Sequence, residues 1–408
     1  MERIEGGVTA AKGFRAAAAA AGIKYQDRAD MAMVYSEKPC IVAGTFTSNL
    51  VKAAPVLWDQ AIVAADAPVH AVVVNAGIAN ASTGKDGMEA CKKTAAATAE
   101  KLGLQAEREV LVASTGVIGM QLPVEKLIAG IDAIKKALAG NIADGHLAAR
   151  AIMTTDTMPK EAAVRFEIGG KTVTLGGMCK GSGMIHPDMC TMLSFLTTDC
   201  AISKALLQEA LSQDVCDTYN MISVDGDTST NDTCLLFANG AAENPKITEK
   251  GEDYDRFCQA LREVNGTLAQ MMAKDGEGAT ALLTMKVTGA GTKEQAKQIA
   301  RSVVSSNLVK AAIYGHDANC GRVLCAMGYA GAAYDPDRVE VFYESSAGKI
   351  RMVENGTMLS FDEALAEKIL SEPEVTVIAD LHEGDAEATA WGCDLTHEYV
   401  NINADYRS

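Results

Sequence analysis

The chain has 408 residues, of which 48% are hydrophobic and 22% are charged, and its formal net charge is −16. This length allows two domains, or one large domain with a smaller lobe. The acidic balance argues against nucleic acid or an anionic membrane as a partner, because either would require a basic face.

The first half of the chain alternates short strands with helical patterns. Residues 70–75 and 109–113 are β-branched runs that predict buried strands, each followed by a loop rich in Gly, Ser or Thr. Residues 122–138 carry apolar side chains at helical spacing. Residues 163–175 predict a hairpin around a Gly-Gly turn. The alanine tract at 16–21 has apolar and charged flanks, so we expect it to be ordered.

The second half continues the same alternation. Thr292 with Gln295 predicts a capping box that opens a helix, and a second helix is predicted over about 361–370. Further strands are predicted at 191–199, 281–285, 339–343 and 375–379. The predicted fold class is therefore mixed α and β, with layered sheets covered by helices, and the strand order is not predicted.

The 11 cysteines are scattered from Cys40 to Cys393. They include no C-x-x-C pair, and no Cys/His cluster has zinc spacing. We therefore expect reduced thiols in a cytoplasmic enzyme without a metal. Neither a signal peptide nor a membrane-spanning segment is predicted.

The most informative segment is 180–191, with the sequence KGSGMIHPDMCT, which ends at a hydroxyl nucleophile, Thr191. Threonine reacts poorly unless a base lies beside it, and cleavage before Thr191 would make its own α-amine that base. Two glycines and Pro187 predict a strained turn, which an N→O acyl shift requires. Taken alone, a strand-opening core threonine is the commoner explanation. Cys190 is the other candidate nucleophile, but cleavage would leave it at a chain end without an amine.

Residues 113–119 (ASTGVIG) follow a predicted strand and form a second candidate site. A turn of this kind can direct backbone N–H groups at one point, so Thr115 and Gly116 are candidates for an oxyanion hole. An ordinary turn is the alternative. The spacing matches no phosphate-binding template.

Three weaker patterns complete the set. Residues 153–157 (MTTDT) are by themselves most typical of a polar turn or helix cap. Glu277 lies between two glycines, where it would bind a substrate ammonium group or remain a solvated charge. Residues 224–232 resemble a calcium loop, but they lack its glycine and final glutamate, so metal binding is rejected. His186 is near Thr191, but a lone histidine is more often structural.

Taken together, these residues resemble the ornithine acetyltransferase (glutamate N-acetyltransferase) family of arginine biosynthesis over essentially the whole chain. The motifs that carry the resemblance occur in this order: 7–14 (GVTAAKGF), 43–49 (AGTFTSN), 73–77 (VVNAG), 81–84 (ASTG), 114–119 (STGVIG), 153–157 (MTTDT), 180–184 (KGSGM), 189–193 (MCTML), 308–312 (LVKAA) and 401–408 (NINADYRS).

The resemblance implies an α+β fold, a layered α-β-β-α sandwich like that of the self-processing aminopeptidases, with a smaller C-terminal lobe at about 280–408. It also implies self-cleavage between Cys190 and Thr191. Residues 1–190 would then be an α chain and residues 191–408 a β chain, assembled as an α2β2 heterotetramer. Cys190 stands where the family usually has alanine, and a residue of this size should still permit cleavage.

The implied reaction is ping-pong acetyl transfer from N-acetylornithine to glutamate, with Thr191 as nucleophile and Thr115 with Gly116 as the oxyanion hole. The positions that match the family's substrate contacts are Thr154, Lys180, Thr191, Glu277, Asn403 and Ser408. Lys180 would bind the substrate carboxylate. No cofactor or metal is implied, and the sequence leaves open whether acetyl-CoA also donates the acetyl group, which would make the enzyme multifunctional.

Two other functions are compatible with these patterns. An N-terminal-nucleophile aminopeptidase or amidohydrolase would share the scaffold, although those enzymes typically use serine where this chain has Thr191. A catalytically silent amino-acid-binding protein would stay unprocessed and bind ornithine without turnover.

Overall fold

The computed structural model describes residues 1–186 and 192–405, so the predicted site residues Cys190, Thr191 and Ser408 lie outside the described residues. The strands of the described part are β1 (Glu2–Ile4), β2 (Phe14–Ala19), β3 (Met31–Phe46), β4 (Val69–Ile78), β5 (Val110–Val117), β6 (Lys160–Ile168), β7 (Lys171–Lys180), β8 (Leu193–Thr198), β9 (Ile222–Ser223), β10 (Thr233–Ala238), β11 (Leu282–Ala290), β12 (Glu340–Ser345), β13 (Gly348–Glu354), β14 (Thr357–Met358), β15 (Glu374–Asp380) and β16 (Ala386–Cys393). The helices are α1 (Ala54–Ala64), α2 (Gly84–Leu102), α3 (Val124–Ala137), α4 (Ile142–Ala151), α5 (Lys204–Val215), α6 (Glu252–Lys274), α7 (Lys293–Ser305), α8 (Asn307–Tyr314), α9 (Cys320–Gly328), α10 (Glu363–Leu370) and α11 (His397–Ala404).

The described residues form two compact units that do not follow chain order. The first unit contains residues 1–181, 192–216 and 228–268. The second unit contains residues 182–186, 217–227 and 269–405. Each of the two predicted fragments, 1–190 and 191–408, therefore contributes to both units.

The first unit is built on one nine-stranded sheet with the order β1-β6-β7-β8-β10-β3-β4-β5, and β2 pairs with β3. The long strand β3 joins its two halves. The N-terminal part of β3 pairs with β2 and β4, while its C-terminal part pairs with β10. One strand thus belongs to two sheet layers.

Alternating side chains explain how these layers pack, since successive residues of a strand face opposite sides. Met33 and Val73 face a core that contains Ala95 of α2 and Ile131 of α3. Their neighbours on β3 and β4 lie on the opposite face, in a core shared with Phe195 of β8 and other residues of β8 and β10.

Helix α6 covers the far side of the β6–β7 part of the sheet. The ring of Phe166 on β6 lies 6.5 Å from the ring of Phe257 on α6. Cys179 on β7 lies with its Sγ 3.8 Å from the carbonyl oxygen of Leu268. The resulting layers are helix, sheet, sheet and helix, which confirms the predicted α+β sandwich.

The second unit has its own seven-stranded sheet, with the order β14-β13-β12-β15-β11-β16-β9. Ile299 and Val303 of α7 and Met327 of α9 are completely buried in its core, beside Val377 of β15. Thr292 caps α7 by accepting a hydrogen bond from the Gln295 N–H at 3.1 Å. In the predicted capping box the Gln295 side chain would accept a hydrogen bond from the Thr292 N–H. It accepts instead from the Gly291 N–H, one residue earlier, at 2.8 Å. No described helix combines the length and apolar character that a bilayer crossing requires.

One element prediction is wrong in a way that matters for the site. The strand predicted to end near Ala113 continues to Val117, because β5 stays paired in parallel with β4 as far as the pair Ile78 and Val117. Thr115 and Gly116 therefore lie on a strand, not in a turn after it.

Gly116 has a conformation that only glycine adopts readily. Its φ is +126°, and a Cβ atom built there would lie 2.2 Å from the carbonyl carbon of Gly77 on β4. That contact is with backbone, which has no flexible end that could move aside. Gly119, with φ +87°, shares the positive φ, but a Cβ atom there would meet nothing within 4 Å.

The Gly116→Ala variant is expected to lose about 3 kcal/mol or more of stability, from the unfavourable φ and the backbone clash together. Gly119→Ala is the matched control, and it should lose only the conformational cost of about 1–2 kcal/mol. Urea unfolding would measure both, with each variant made in a Thr191→Ala chain so that every sample is a single polypeptide. Equal losses in the two variants would contradict the clash.

Candidate active site

The predicted site residues of the first unit converge at the C-terminal ends of β5 and β7. Lys180, the last residue of β7, is 7% exposed. Its Nζ lies 3.4 Å from the Thr115 hydroxyl on β5. A buried ammonium group is thus held next to the candidate oxyanion hole, where it could bind an anionic substrate group.

A carboxylate that was not among the predicted residues holds this group together. Asp156 Oδ1 accepts hydrogen bonds from Lys160 Nζ and from the Gly181 N–H, both at 2.7 Å. Its Oδ2 accepts from the Thr154 N–H at 3.0 Å and lies 3.9 Å from Lys180 Nζ. Asp156 therefore connects the turn after α4 with β6 and with the end of β7.

The charge of Asp156 is maintained by its partners. Burial alone would raise the pKa of this carboxyl, but the positive charges of Lys180 and Lys160 and the hydrogen bonds from Lys160 and Thr154 outweigh burial. The net effect places the pKa of Asp156 well below its usual range. The group is therefore a permanent anion that balances two buried lysines.

Sequence reasoning treated residues 153–157 as a polar turn by default, and so it missed Asp156 as a site residue. One signal was available. Lys160 follows Asp156 by four residues and begins an apolar strand, where a lysine requires a buried partner. Thr154, which the family resemblance gave as a substrate-contacting position, donates its N–H to the Asp156 carboxylate.

The second unit holds the other predicted residues, Glu277 and Asn403. The Asn403 side chain donates a hydrogen bond from Nδ2 to Glu277 Oε2 at 2.7 Å, and the Glu277 N–H donates to the Ser182 carbonyl at 2.8 Å. Glu277 is 7% exposed. A Cβ atom built on Gly183 would lie 2.3 Å from the Glu277 carboxylate, so the glycine makes room for it.

The residues just before position 187 are anchored within the second unit. Asp225 accepts hydrogen bonds from the N–H groups of Met184 and Ile185, at 2.6 and 2.9 Å. His186 Nδ1 lies 3.0 Å from the Ser223 hydroxyl, and its Nε2 lies 3.3 Å from the Arg301 guanidinium. These contacts fit the structural role expected for this histidine.

Among residues 1–186 and 192–405, no group of three or more His, Cys, Asp or Glu side chains is arranged to hold a metal ion. The ten cysteines of the same residues are all free thiols. Burial is the largest cause that raises the pKa of several of them, to about 12 for Cys40 and Cys200.

Comparison with known proteins identifies the family. A model of the ArgJ family matches residues 15–408. The chain belongs to the ArgJ family. The family resemblance predicted from the sequence motifs is therefore confirmed, and with it the enzyme class, an acyltransferase of arginine biosynthesis.

Two relatives match this member of the ArgJ family along the whole of both chains. The chain is 52% identical over 410 residues to the arginine biosynthesis bifunctional protein ArgJ of Symbiobacterium thermophilum. It is 48% identical over 408 residues to the protein of the same name from Caldanaerobacter subterraneus subsp. tengcongensis. A crystal structure of the Bacillus halodurans protein of that name is 42% identical, with a TM-score of 0.49, and the match covers 52% of this chain and 97% of that one.

Replacing Asp156 by Asn should destabilise the first unit, because it removes the negative charge that the buried ammonium groups of Lys160 and Lys180 share. Removing one partner of a buried ion pair typically costs about 3–5 kcal/mol. The loss should be constant above about pH 5 and shrink below about pH 4, since a carboxyl with a lowered folded-state pKa stabilises only while it is ionised. Urea unfolding between pH 3 and pH 7, in the Thr191→Ala chain, would measure this.

The matched control for this prediction is Asp27→Asn, because Asp27 is an exposed carboxylate in a loop of the same unit. The control should change stability by less than about 0.5 kcal/mol at every pH. An Asp156→Asn variant as stable as this control at pH 7 would contradict the role given to Asp156.

Proposed function

We propose that this protein transfers an acetyl group from N-acetylornithine to glutamate through an acetyl-Thr191 intermediate, after it has cut its own chain between Cys190 and Thr191. The observation that carries the proposal is the ArgJ family match over residues 15–408, a span that contains both residues of the proposed cleavage site. The buried Lys180 beside Thr115 supports it, because this geometry suits a substrate that carries a carboxylate.

In the proposed first half-reaction, Thr191 Oγ attacks the acetyl carbonyl carbon of N-acetylornithine while the Thr191 α-amine accepts the hydroxyl proton. Thr115 and Gly116 stabilise the oxyanion of the tetrahedral intermediate. The C–N bond then breaks, the leaving amine takes the proton, and ornithine departs. Glutamate enters the same pocket, and its amine accepts the acetyl group from Thr191.

The roles of the remaining residues follow from the charges of these substrates. Lys180 binds the α-carboxylate that donor and acceptor share, and Thr154 contacts the substrate beside it. Glu277, Asn403 and Ser408 face the polar or cationic end of the substrate. The two fragments assemble as an α2β2 heterotetramer, and the scattered free thiols support a cytoplasmic location.

Intact-mass analysis of purified protein tests self-cleavage. The wild type should give two masses, for residues 1–190 and 191–408, and the Thr191→Ala variant should give only the full-length mass, because the nucleophile is absent. Thr172→Ala removes an exposed threonine from β7 and is the matched control, which should be cut like the wild type. Cleavage of the Thr191→Ala chain at the same bond would refute the proposal.

Brief incubation of the cut enzyme with N-acetylornithine should add one acetyl group to the fragment that begins at Thr191. Unlabelled N-acetylornithine should also take up labelled ornithine when glutamate is absent, as ping-pong exchange requires. A wild-type enzyme that stays whole and yet exchanges acetyl groups at full rate would show that the freed amine is not the base.

Product analysis separates the transferase from the alternative, an aminopeptidase or amidohydrolase. With N-acetylornithine and glutamate, the protein should form N-acetylglutamate and ornithine in equal amounts, whereas a hydrolase would release acetate with or without glutamate. We propose that acetyl-CoA is a second donor, since the relatives are named bifunctional proteins. The same assay with acetyl-CoA in place of N-acetylornithine should again give N-acetylglutamate, and no product would limit the enzyme to one donor.

A further inference from the structure

The outer edge of β5 is closed by side chains instead of by another strand. β5 is the last strand in the order of the first sheet, so this edge faces no further strand in the part of the chain that the structure describes. Backbone groups on a buried edge need partners from elsewhere. Three side chains supply them at alternate residues: Trp58 Nε1 donates to the Val110 carbonyl at 3.1 Å, Asp59 Oδ1 accepts from the Val112 N–H at 3.0 Å, and Asn231 Nδ2 donates to the Ser114 carbonyl at 2.7 Å. The third of these bonds lies immediately before the two residues of the proposed oxyanion hole.

Asn231 differs from the other two side chains because it holds two strands at once. Its Nδ2 also donates to the Ala79 carbonyl at 2.6 Å, one residue after β4 ends. An amide nitrogen carries two hydrogens, so both are used. Asn231 is 7% exposed, and its Oδ1 accepts a hydrogen bond from the Thr230 hydroxyl at 2.7 Å. The ends of β4 and β5 are therefore joined through a single buried amide group.

The backbone around Asn231 is fixed as well. The Ala53 N–H donates to the Thr230 carbonyl at 2.9 Å, and the Thr47 N–H donates to the Asp232 carbonyl at 3.0 Å. These two bonds lie on either side of Asn231 in the chain. The Asn231 amide is thus attached to a rigid segment, which a group that positions reactive atoms requires.

The bond to the Ser114 carbonyl acts directly on the Thr115 N–H. The two groups belong to one peptide unit, which is planar, so fixing the C=O also fixes the direction of the N–H. A hydrogen bond accepted by the carbonyl also polarises the peptide and makes its N–H a stronger donor. Gly116, the next residue, has φ +126° and no side chain that restricts its backbone. A strand end with this freedom is held in one conformation by contacts from outside, and Asn231 supplies one of them.

We propose that Asn231 is a positioning residue for acetyl transfer, which acts through the oxyanion hole and does not touch the substrate. This inference rests on the function proposed above. When Thr191 Oγ attacks the acetyl carbonyl, negative charge develops on the carbonyl oxygen, and donors that are already in place stabilise it without reorganisation. Asn231 keeps the donors of Thr115 and Gly116 in place. Loss of its hydrogen bonds should therefore slow the chemical step and leave substrate binding almost unchanged.

Asn231→Asp tests the proposal, because a carboxylate keeps the shape of the side chain and loses both donors. The matched control is Asn244→Asp. Asn244 lies in the same unit, is 6% exposed, and also donates from Nδ2 to two carbonyls, those of Ala201 and Pro245 at 3.1 and 2.8 Å. Neither of these partners belongs to β4 or β5. The control therefore loses the same kind of bonds in the same unit without affecting the oxyanion hole.

The readout is the rate at which N-acetylornithine acetylates Thr191, followed by rapid quench and intact mass of the fragment that begins at this residue. At saturating substrate, Asn231→Asp should lower this rate about 100-fold, the usual effect of displacing a reacting group by about 1 Å. The half-saturating concentration should change less than about 3-fold, since the interactions that bind the substrate are retained. Asn244→Asp should change neither quantity by more than about 3-fold. A wild-type rate in Asn231→Asp, a loss of substrate affinity alone, or equal losses in the two variants would overturn the proposal.

A second variant and a second route of preparation cover an Asn231→Asp chain that does not fold or does not cut itself. Thr230→Val keeps Asn231 and removes only the hydroxyl that orients its amide. Acetylation should then slow about 10-fold, the value of one hydrogen bond, again with the half-saturating concentration unchanged. An uncut variant would be assembled by co-expression of residues 1–190 with residues 191–408, the latter with its initiator methionine removed. Acetylation by Thr230→Val at the wild-type rate would contradict the role given to the Asn231 amide.

Hydrogen exchange separates failure of this inference from failure of the proposed function. In the Thr191→Ala chain, the amides of residues 114–117 should exchange about 10-fold faster with Asn231→Asp than with Asn244→Asp, because the strand end opens more easily. Equal exchange would overturn the inference, whether or not the enzyme is active. Faster exchange together with a wild type that never becomes acetylated would leave the support of β5 intact and refute the proposed function instead.

Discussion

The arrangement of the site residues in the first unit depends on one buried charge, that of Asp156. A carboxylate that is taken out of water must be compensated by hydrogen bonds and opposite charges, and Asp156 receives both from three segments of the chain. Because the partners include Lys180 and the backbone of Thr154 and Gly181, the same compensation sets their relative positions. The position of Lys180 beside Thr115 therefore depends on the compensation of buried charge as well as on strand pairing.

The elements that sequence patterns predicted best are those whose apolar periodicity is not interrupted. The β6–β7 hairpin and helix α7 formed where the patterns indicated, because one face of each is buried. The end of β5 was predicted wrongly, since Ser, Thr and Gly are typical of turns. What keeps those residues in a strand is their pairing with β4, including the close approach of Gly77 and Gly116. That is a long-range contact, and a local pattern cannot contain it.

The same distinction applies to the site. Local patterns made Thr115 and Glu277 weak candidates, and Lys180 and Asn403 were assigned roles only through the family resemblance, since each of these residues occurs in a pattern that many loops share. Asp156 was not predicted as a site residue, because burial is what makes it unusual and burial depends on the packed structure. The only sequence signal for Asp156 was the lysine four residues later, at the start of an apolar strand. Charge compensation across strands is visible only in three dimensions.

The strand order of the first unit has a consequence for the two fragments that cleavage would produce. Strands β8 and β10 come from residues after position 191, yet they lie between β7 and β3, which come from residues before it. A nick between residues 190 and 191 would therefore leave two polypeptides interleaved in one continuous sheet. The two polypeptides could not dissociate without breaking the backbone hydrogen bonds that join β8 to β7 and β10 to β3. The cut would release a chain terminus and leave the architecture in place, so the two fragments should fold and unfold together.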